Sequence, residues 1–263
     1  MNLLFIGDIV GKPGRTWVRE SLPKLREDLS LDLVIANGEN AAGGNGITPA
    51  IAQELFDMGI DGLTLGNHAW DKKELIGQID AIPMLVRPAN YPEGTPGKGW
   101  MVLESRSGHS VAVINLMGRV YLPTQLECPF RTFDRIYGQI SETTELILVD
   151  FHAEATSEKQ AFGWYVDGRA TAVVGTHTHV QTNDARLLAG GTGYITDVGM
   201  TGPRDSVLGI ERSVIIDKFL TQMPQPFKVA KGTRVLSAVM IQIDEITKKC
   251  TEIRNLKLTD EGI

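Results

Sequence analysis

Five short stretches of this chain place metal-ligating or proton-transferring side chains directly after apolar runs. They are Ile6-Gly7-Asp8, Ala36-Asn37-Gly38-Glu39-Asn40, Leu65-Gly66-Asn67-His68, Val149-Asp150-Phe151-His152 and Val174-Gly175-Thr176-His177-Thr178-His179. In an open α/β sheet, ligands bind outside the carboxyl ends of the strands, so five such ends suggest one shared site. Carboxylate, carboxamide and imidazole donors without a thiolate suit iron, manganese or zinc rather than a soft metal. His177-Thr178-His179 is the most specific local signal. In an extended segment residues i and i+2 face the same side, and with two ions about 3.5–4 Å apart each imidazole can serve a different one.

Taken singly, every stretch also has an ordinary structural explanation. Asp8 can be a helix N-cap, Glu39-Asn40 and Asn67-His68 a cap or a turn, and His152 a core histidine bonded to a backbone carbonyl. Jointly those explanations would have to coincide repeatedly. Four of the five histidines fall at strand ends; His109, in a predicted hairpin turn, is read as surface.

The elements that must deliver these ends are legible in part. Residues 2–7 read as a strand buried on both faces. The following Gly-Lys is no Walker loop, because three residues rather than four precede it after Gly7, and proline follows it. Trp17, Val18, Leu22, Leu25 and Leu29 predict a helix over 14–28 opened by Pro13. A second strand ends at Ala36, Thr48-Pro49 starts a helix that Gly59 stops, and residues 62–65 form a third strand. A helix over 72–79 and a strand over 82–86 follow, so the repeats argue for a right-handed parallel βαβ architecture.

Beyond a Pro-rich loop at 87–100, strands at 100–103 and 110–116 form a hairpin, and residues 117–144 carry no readable periodicity. A strand at 145–150, a helix at 157–166 and a strand at 170–174 come next. Late strands near 185–188, 193–196, 233–243 and 251–258 and a helix near 210–221 complete the chain. Parallel units early and hairpins late predict an α/β fold with two sheets packed face to face between helices. With no repeat and no linker, one domain over 1–263 is expected.

A net charge of −6 argues against a broad basic surface for duplex nucleic acid. Two distant cysteines, Cys128 and Cys250, indicate neither a disulfide framework nor a cysteine zinc site. The N-terminus lacks a basic region and its apolar run is too short for a signal or a membrane span, so a cytoplasmic protein without membrane attachment is expected.

This ordered set of motifs, with Gly199-Met200-Thr201-Gly202-Pro203, resembles the calcineurin-like metallophosphoesterases over nearly the whole chain, and within them the YmdB-like bacterial phosphodiesterase branch. The resemblance implies a four-layer α/β/β/α sandwich of two facing mixed sheets and a dinuclear metal centre between their strand ends. It implies that Asp8, Glu39, Asn40 and His179 hold one metal and Glu39, Asn67, His152 and His177 the other, with Glu39 bridging. His68 would be a general acid beside the centre. Two departures stand out from the wider superfamily: Val10 where a histidine is usual, and Glu39 for the bridging aspartate. One fewer imidazole favours iron or manganese, with zinc also admitted.

The implied function is a metal-dependent phosphodiesterase acting on a small phosphodiester, 2′,3′-cyclic nucleotides among the candidates. A hydroxide bridging two metals would attack in line while His68 protonates the departing oxygen. The base and chain length of the substrate are not readable. Asp197, Thr201 and Arg204 lie in a Gly/Pro-bounded loop that either borders the pocket or is simple turn structure.

Two other readings remain. An amidohydrolase barrel also uses His-x-His, but at the end of its first strand. A non-catalytic metal- or nucleotide-binding regulator would use the same ligand set. The late antiparallel strands offer an edge for self-association as a homo-oligomer.

Overall fold

The structure, a computed structural model, describes residues 1–142, 144 and 146–261. The first residue of the strand expected from 145 and the last two of the expected 1–263 span lie outside the described residues. The opening apolar run forms β1 (Asn2–Ile6), and past Gly7 a two-residue strand, β2 (Asp8–Ile9), carries the first carboxylate. α1 (Gly11–Asp28) starts three residues before the expected boundary. Pro13 is tolerated there because a first-turn N–H has no intrahelical acceptor to lose.

β3 (Leu33–Asn37) leads to α2 (Pro49–Asp57). As expected, the Thr48 hydroxyl caps α2 by accepting the Ile51 N–H at 3.2 Å. β4 (Gly62–Thr64), α3 (Lys73–Ile76), a 3-10 turn at Ile79–Ala81 and β5 (Leu85–Val86) follow. The helix expected over 72–79 and the strand expected over 82–86 are therefore both shorter. Gly77 closes α3, and Pro83, with no N–H for a ladder, delays pairing.

The hairpin is β6 (Trp100–Glu104) and β7 (Ser110–Met117). The unreadable stretch contains α4 (Pro129–Ile140), which buries Phe133, Ile136 and Ile140. β8 (Leu146–His152), α5 (Thr156–Val166) and β9 (Ala172–Thr176) follow, then the short strands β10 (Arg186–Leu187), β11 (Gly193–Ile195) and β12 (Met200–Pro203). α6 (Arg212–Thr221), β13 (Arg234–Ile243) and β14 (Cys250–Thr259) end the chain.

One sheet runs β2-β12-β13-β1-β3-β4-β5 with β14 on β13, and the other β10-β11-β9-β8-β7-β6. Both are mixed: β1, β3, β4 and β5 pair in parallel while β13 is antiparallel to β1. β7, β8, β9 and β11 are parallel, with β6 and β10 antiparallel at the edges.

Strand alternation sorts the core into three apolar layers. Leu3, Phe5 and Ile35 meet Val113, Leu148 and Val174 between the sheets. Leu4, Ile6 and Val34 face Trp17, Val18 and Leu22 of α1, and Ile114, Val149 and Val173 face Phe133 of α4 and Phe162 of α5. The order is thus α/β/β/α, as expected, and two open sheets rule out the amidohydrolase barrel. Because the strands carrying the five motifs run parallel within each sheet, their carboxyl ends meet at one edge of the sandwich.

Candidate metal centre

His152 closes β8 and is fully buried, and three polar atoms from three other segments crowd its Nε2. Asn67 Oδ1 lies at 2.9 Å, His177 Nδ1 at 3.0 Å and Glu39 Oε1 at 3.2 Å. One ring nitrogen makes one hydrogen bond, so this convergence exceeds what hydrogen bonding uses. Donors sharing an ion at about 2.1 Å sit roughly 3–3.4 Å from one another, and the three distances from His152 Nε2 lie close to that spacing. Glu39, His152 and His177 have donor atoms within 4.8 Å of one another.

Beside this cluster, His179 Nε2 lies 3.3 Å from Asn40 Oδ1 and 4.0 Å from Asp8 Oδ1. Asp8 Oδ1 is buried and has no hydrogen-bond partner. A buried carboxylate oxygen left unpaired costs free energy that a cation would recover. On both counts the residues fit a pair of metal ions. All seven expected ligands, Asp8, Glu39, Asn40, Asn67, His152, His177 and His179, therefore stand in one neighbourhood. His68 stands beside them with its ring turned to Asp71, Nδ1 to Oδ2 2.8 Å, while its backbone N–H donates to Glu39 Oε2 at 3.0 Å.

The backbone reaches these positions differently from the expectation. His177 and His179 do not continue an extended strand: β9 ends at Thr176, and the two residues have φ of 99° and 66°. Left-handed backbone at two non-glycine residues is costly and persists only where surroundings impose it. Here Asp197 imposes it, accepting the Thr178 N–H at 3.0 Å and hydroxyl at 2.8 Å. Asp197 is itself held by the buried Lys159 ammonium at 2.6 Å.

Lys159→Met should therefore cost about 3–5 kcal/mol in urea unfolding, since it strands Asp197 in the interior. A loss near zero would mean that the pair is not structural. Asp197 thus lies behind the histidine loop rather than bordering the cleft. Thr201 is buried and donates to the Ser237 carbonyl at 3.3 Å, and Arg204 pairs with Asp205 and Glu261 on the surface.

Three supporting side chains carried no isolated sequence signal. Asp150, two residues before His152 and on the same strand face, accepts the Thr176 hydroxyl at 2.7 Å and the Asn37 amide at 3.0 Å. The Thr176 oxygen is 2.9 Å from His152 Nδ1, so the relay fixes which ring nitrogen points at the cluster. Glu154 holds His177 Nε2 at 3.0 Å.

Burial alone would lower the His152 pKa, but the Glu39 carboxylate, with Asp8 and Asp150, raises it to about 9. Burial would raise Glu39, and the charge and hydrogen bond of His152 overcome that and hold it at about 2. Burial pushes Asp8 up to about 6 against the pull of His179 and His152. His177, buried beside His152, falls to about 3 and keeps its lone pair.

A metal-ligating imidazole is neutral, so loading at pH 7 must expel the His152 proton. About one proton should be released per centre, read as a buffer-dependent heat in titration calorimetry. Uptake should weaken further below pH 6 as Asp8 protonates. A heat independent of the buffer would contradict this. Without metal, the raised His152 stabilises the fold fully below pH 6.5 and loses that contribution as pH rises through about 9.

Over the cluster opens a cleft of about 710 Å³, with Glu39, Asn40, His68, His177 and His179 in its lining. Among the described residues no helix is long and apolar enough to cross a membrane.

Comparison with known proteins places these features in context. A family model described as "YmdB-like protein" matches residues 4–256. The "2',3'-cyclic-nucleotide 2'-phosphodiesterase" of Bacillus subtilis (strain 168) is 54% identical, covering 99% of this chain and 98% of that protein. The crystal structure of a hypothetical protein from Thermus thermophilus superimposes with a TM-score of 0.92 at 45% identity, covering 98% and 99% of the two chains. That of a novel phosphatase from Mycoplasma pneumoniae gives 0.92 at 34% identity, covering 98% and 93%.

Proposed function

The chain belongs to the YmdB-like protein family, and from that premise we propose that it is a metal-dependent phosphodiesterase that opens 2′,3′-cyclic nucleotides at the 2′ bond. The observation that carries this reading is the convergence of Glu39, Asn67, His152 and His177 on one point, with Asp8, Asn40 and His179 adjoining. In this reading Asp8, Glu39, Asn40 and His179 hold one divalent ion and Glu39, Asn67, His152 and His177 a second. Glu39 is shared, and the first site, with a single imidazole among oxygen donors, favours iron or manganese, with zinc admitted. When bound, such a pair supplies positive charge for phosphate oxygens and lowers the pKa of water.

The chain's own residues do the rest. Asp71, itself held by the Asn45 amide at 2.9 Å, fixes His68 through Nδ1 and leaves Nε2 as the nitrogen for proton transfer. As water adds to phosphorus and the O2′–P bond breaks, His68 hands its proton to O2′, and a nucleoside 3′-monophosphate leaves. Glu154 and the Asp150–Thr176 relay keep the rings of His177 and His152 from turning away.

The test is elemental analysis of anaerobically purified protein paired with turnover of 2′,3′-cyclic nucleotides. About two ions per chain and a 3′-monophosphate product are expected. Fully metallated protein inert toward phosphodiesters would instead favour a non-catalytic regulator.

A further inference from the structure

α6 carries Ile215, Ile216, Phe219 and Leu220, yet none of its residues is buried. A ten-residue helix owes its stability to an apolar face covered by something else. The segments flanking it are tied to each other instead. Val207 pairs with Ile210, Ile210 pairs with Val229, and the Glu211 N–H donates to the Lys228 carbonyl at 2.9 Å. The helix therefore overhangs the cleft, and Ile210, Ile215, Phe219 and Phe227 line the same cavity as the ligand cluster. Phe219 stays 73% exposed, an arrangement that wastes an aromatic ring unless something lies against it.

Resting on the reading of the centre as a cyclic-nucleotide phosphodiesterase, we propose that this wall is the base shelf. The nucleobase lies against Phe219 beside Ile215 and Phe227, held by stacking rather than by hydrogen bonds to its edge. The two carboxamide donors of the cavity are committed elsewhere. The Asn40 amide donates to the Gly44 carbonyl at 3.0 Å and the Asn45 amide to Asp71 at 2.9 Å. Lys218, the polar group on the shelf, sets its ammonium 4.6 Å over the Phe227 ring. Every base has a π face, so a stacking shelf tolerates all four while still demanding a base. A cavity of about 710 Å³ leaves room for a nucleotide whose phosphate reaches the cluster.

The experiment compares kcat/KM on the four 2′,3′-cyclic nucleotides with that on base-free ribose 2′,3′-cyclic phosphate. It adds calorimetric affinity for nucleoside 3′-monophosphates against ribose 3-phosphate. Wild-type protein should treat the four bases alike within a few-fold and prefer each over the base-free ester by about 5- to 150-fold, the range aromatic–base stacking supplies. Phe219→Ala should cut that ratio, in turnover and in product affinity, by about tenfold, and Phe219→Trp should restore it. A ratio unmoved by Phe219→Ala would overturn the shelf, as would a single base preferred more than 100-fold. If Phe219→Ala instead turned an assembled protein into monomers with the ratio intact, a second copy of the chain would be the occupant. Absence of turnover on all five esters by metal-loaded wild-type protein would sink the phosphodiesterase reading itself. That result differs from a changed ratio and takes the shelf down with it.

Discussion

Gly66→Ala is expected to give a folded protein that takes up little or no metal. A Cβ at this position would lie 2.3 Å from His152 Nε2, 2.4 Å from His152 Cδ2 and 2.4 Å from Glu39 Oε2. None of these atoms can retreat freely. His152 is fully buried and tied through Nδ1 to Thr176, and Glu39 is held by the His68 N–H. Relief must therefore come from moving a ligand or the Leu65–Asn67 backbone. Overpacking of this kind costs about 1–3 kcal/mol, within the 5–15 kcal/mol that typically holds a domain together, so the fold should survive.

The metal should not survive it. Losing a partner outside the ligands typically costs 10–100-fold in metal affinity, and displacing two ligands at once should cost more than about 100-fold. Elemental analysis and calorimetric uptake, with circular dichroism as the control for folding, read this directly. A Gly66→Ala protein that binds metal as wild type does would show that the proposed ligands are not where ions sit.

Much of this arrangement was legible from residues alone, for a physical reason. Strand ends announce themselves when an apolar run stops at glycine, and Thr48-Pro49 and Gly59 bracket α2 by capping chemistry that acts locally. What stayed hidden depends on tertiary context. α4 carries Phe130, Phe133, Ile136, Tyr137 and Ile140 at helical spacing, but Pro123 and Pro129 broke the window in which that period would have been counted. β12 is four residues long and exists because β13 and β2 flank it.

The histidine pair was expected in an extended segment, and the structure turns it left-handed instead. Its left-handed backbone is imposed by Asp197 and Lys159, which lie well outside the loop on either side of it in sequence. The apolar residues of α6 could be counted from the sequence; that none of them is buried among the described residues could not. The pairing of Asp150 with His152 through Thr176 crosses from one strand to the next, and only the β8–β9 register brings His152 beside Thr176.

His68→Ala should lower turnover of 2′,3′-cyclic nucleotides by about 10²–10⁴-fold, the usual contribution of a positioned acid, while metal content stays at the wild-type level. Retention follows from what His68 gives the cluster: its backbone N–H to Glu39, which alanine keeps, whereas the ring is engaged by Asp71. Loss of metal in the variant would make His68 a ligand instead. The leaving group sharpens the test, because proton donation matters most when the departing oxygen is basic. A ribose O2′ needs a proton as its bond to phosphorus breaks; a nitrophenolate hardly does. The defect should therefore be large on cyclic nucleotides and much smaller on bis-p-nitrophenyl phosphate, with Asp71→Asn showing a weaker version of the same contrast. Equal defects on both esters would mean that His68 orients the phosphate rather than protonating what leaves it.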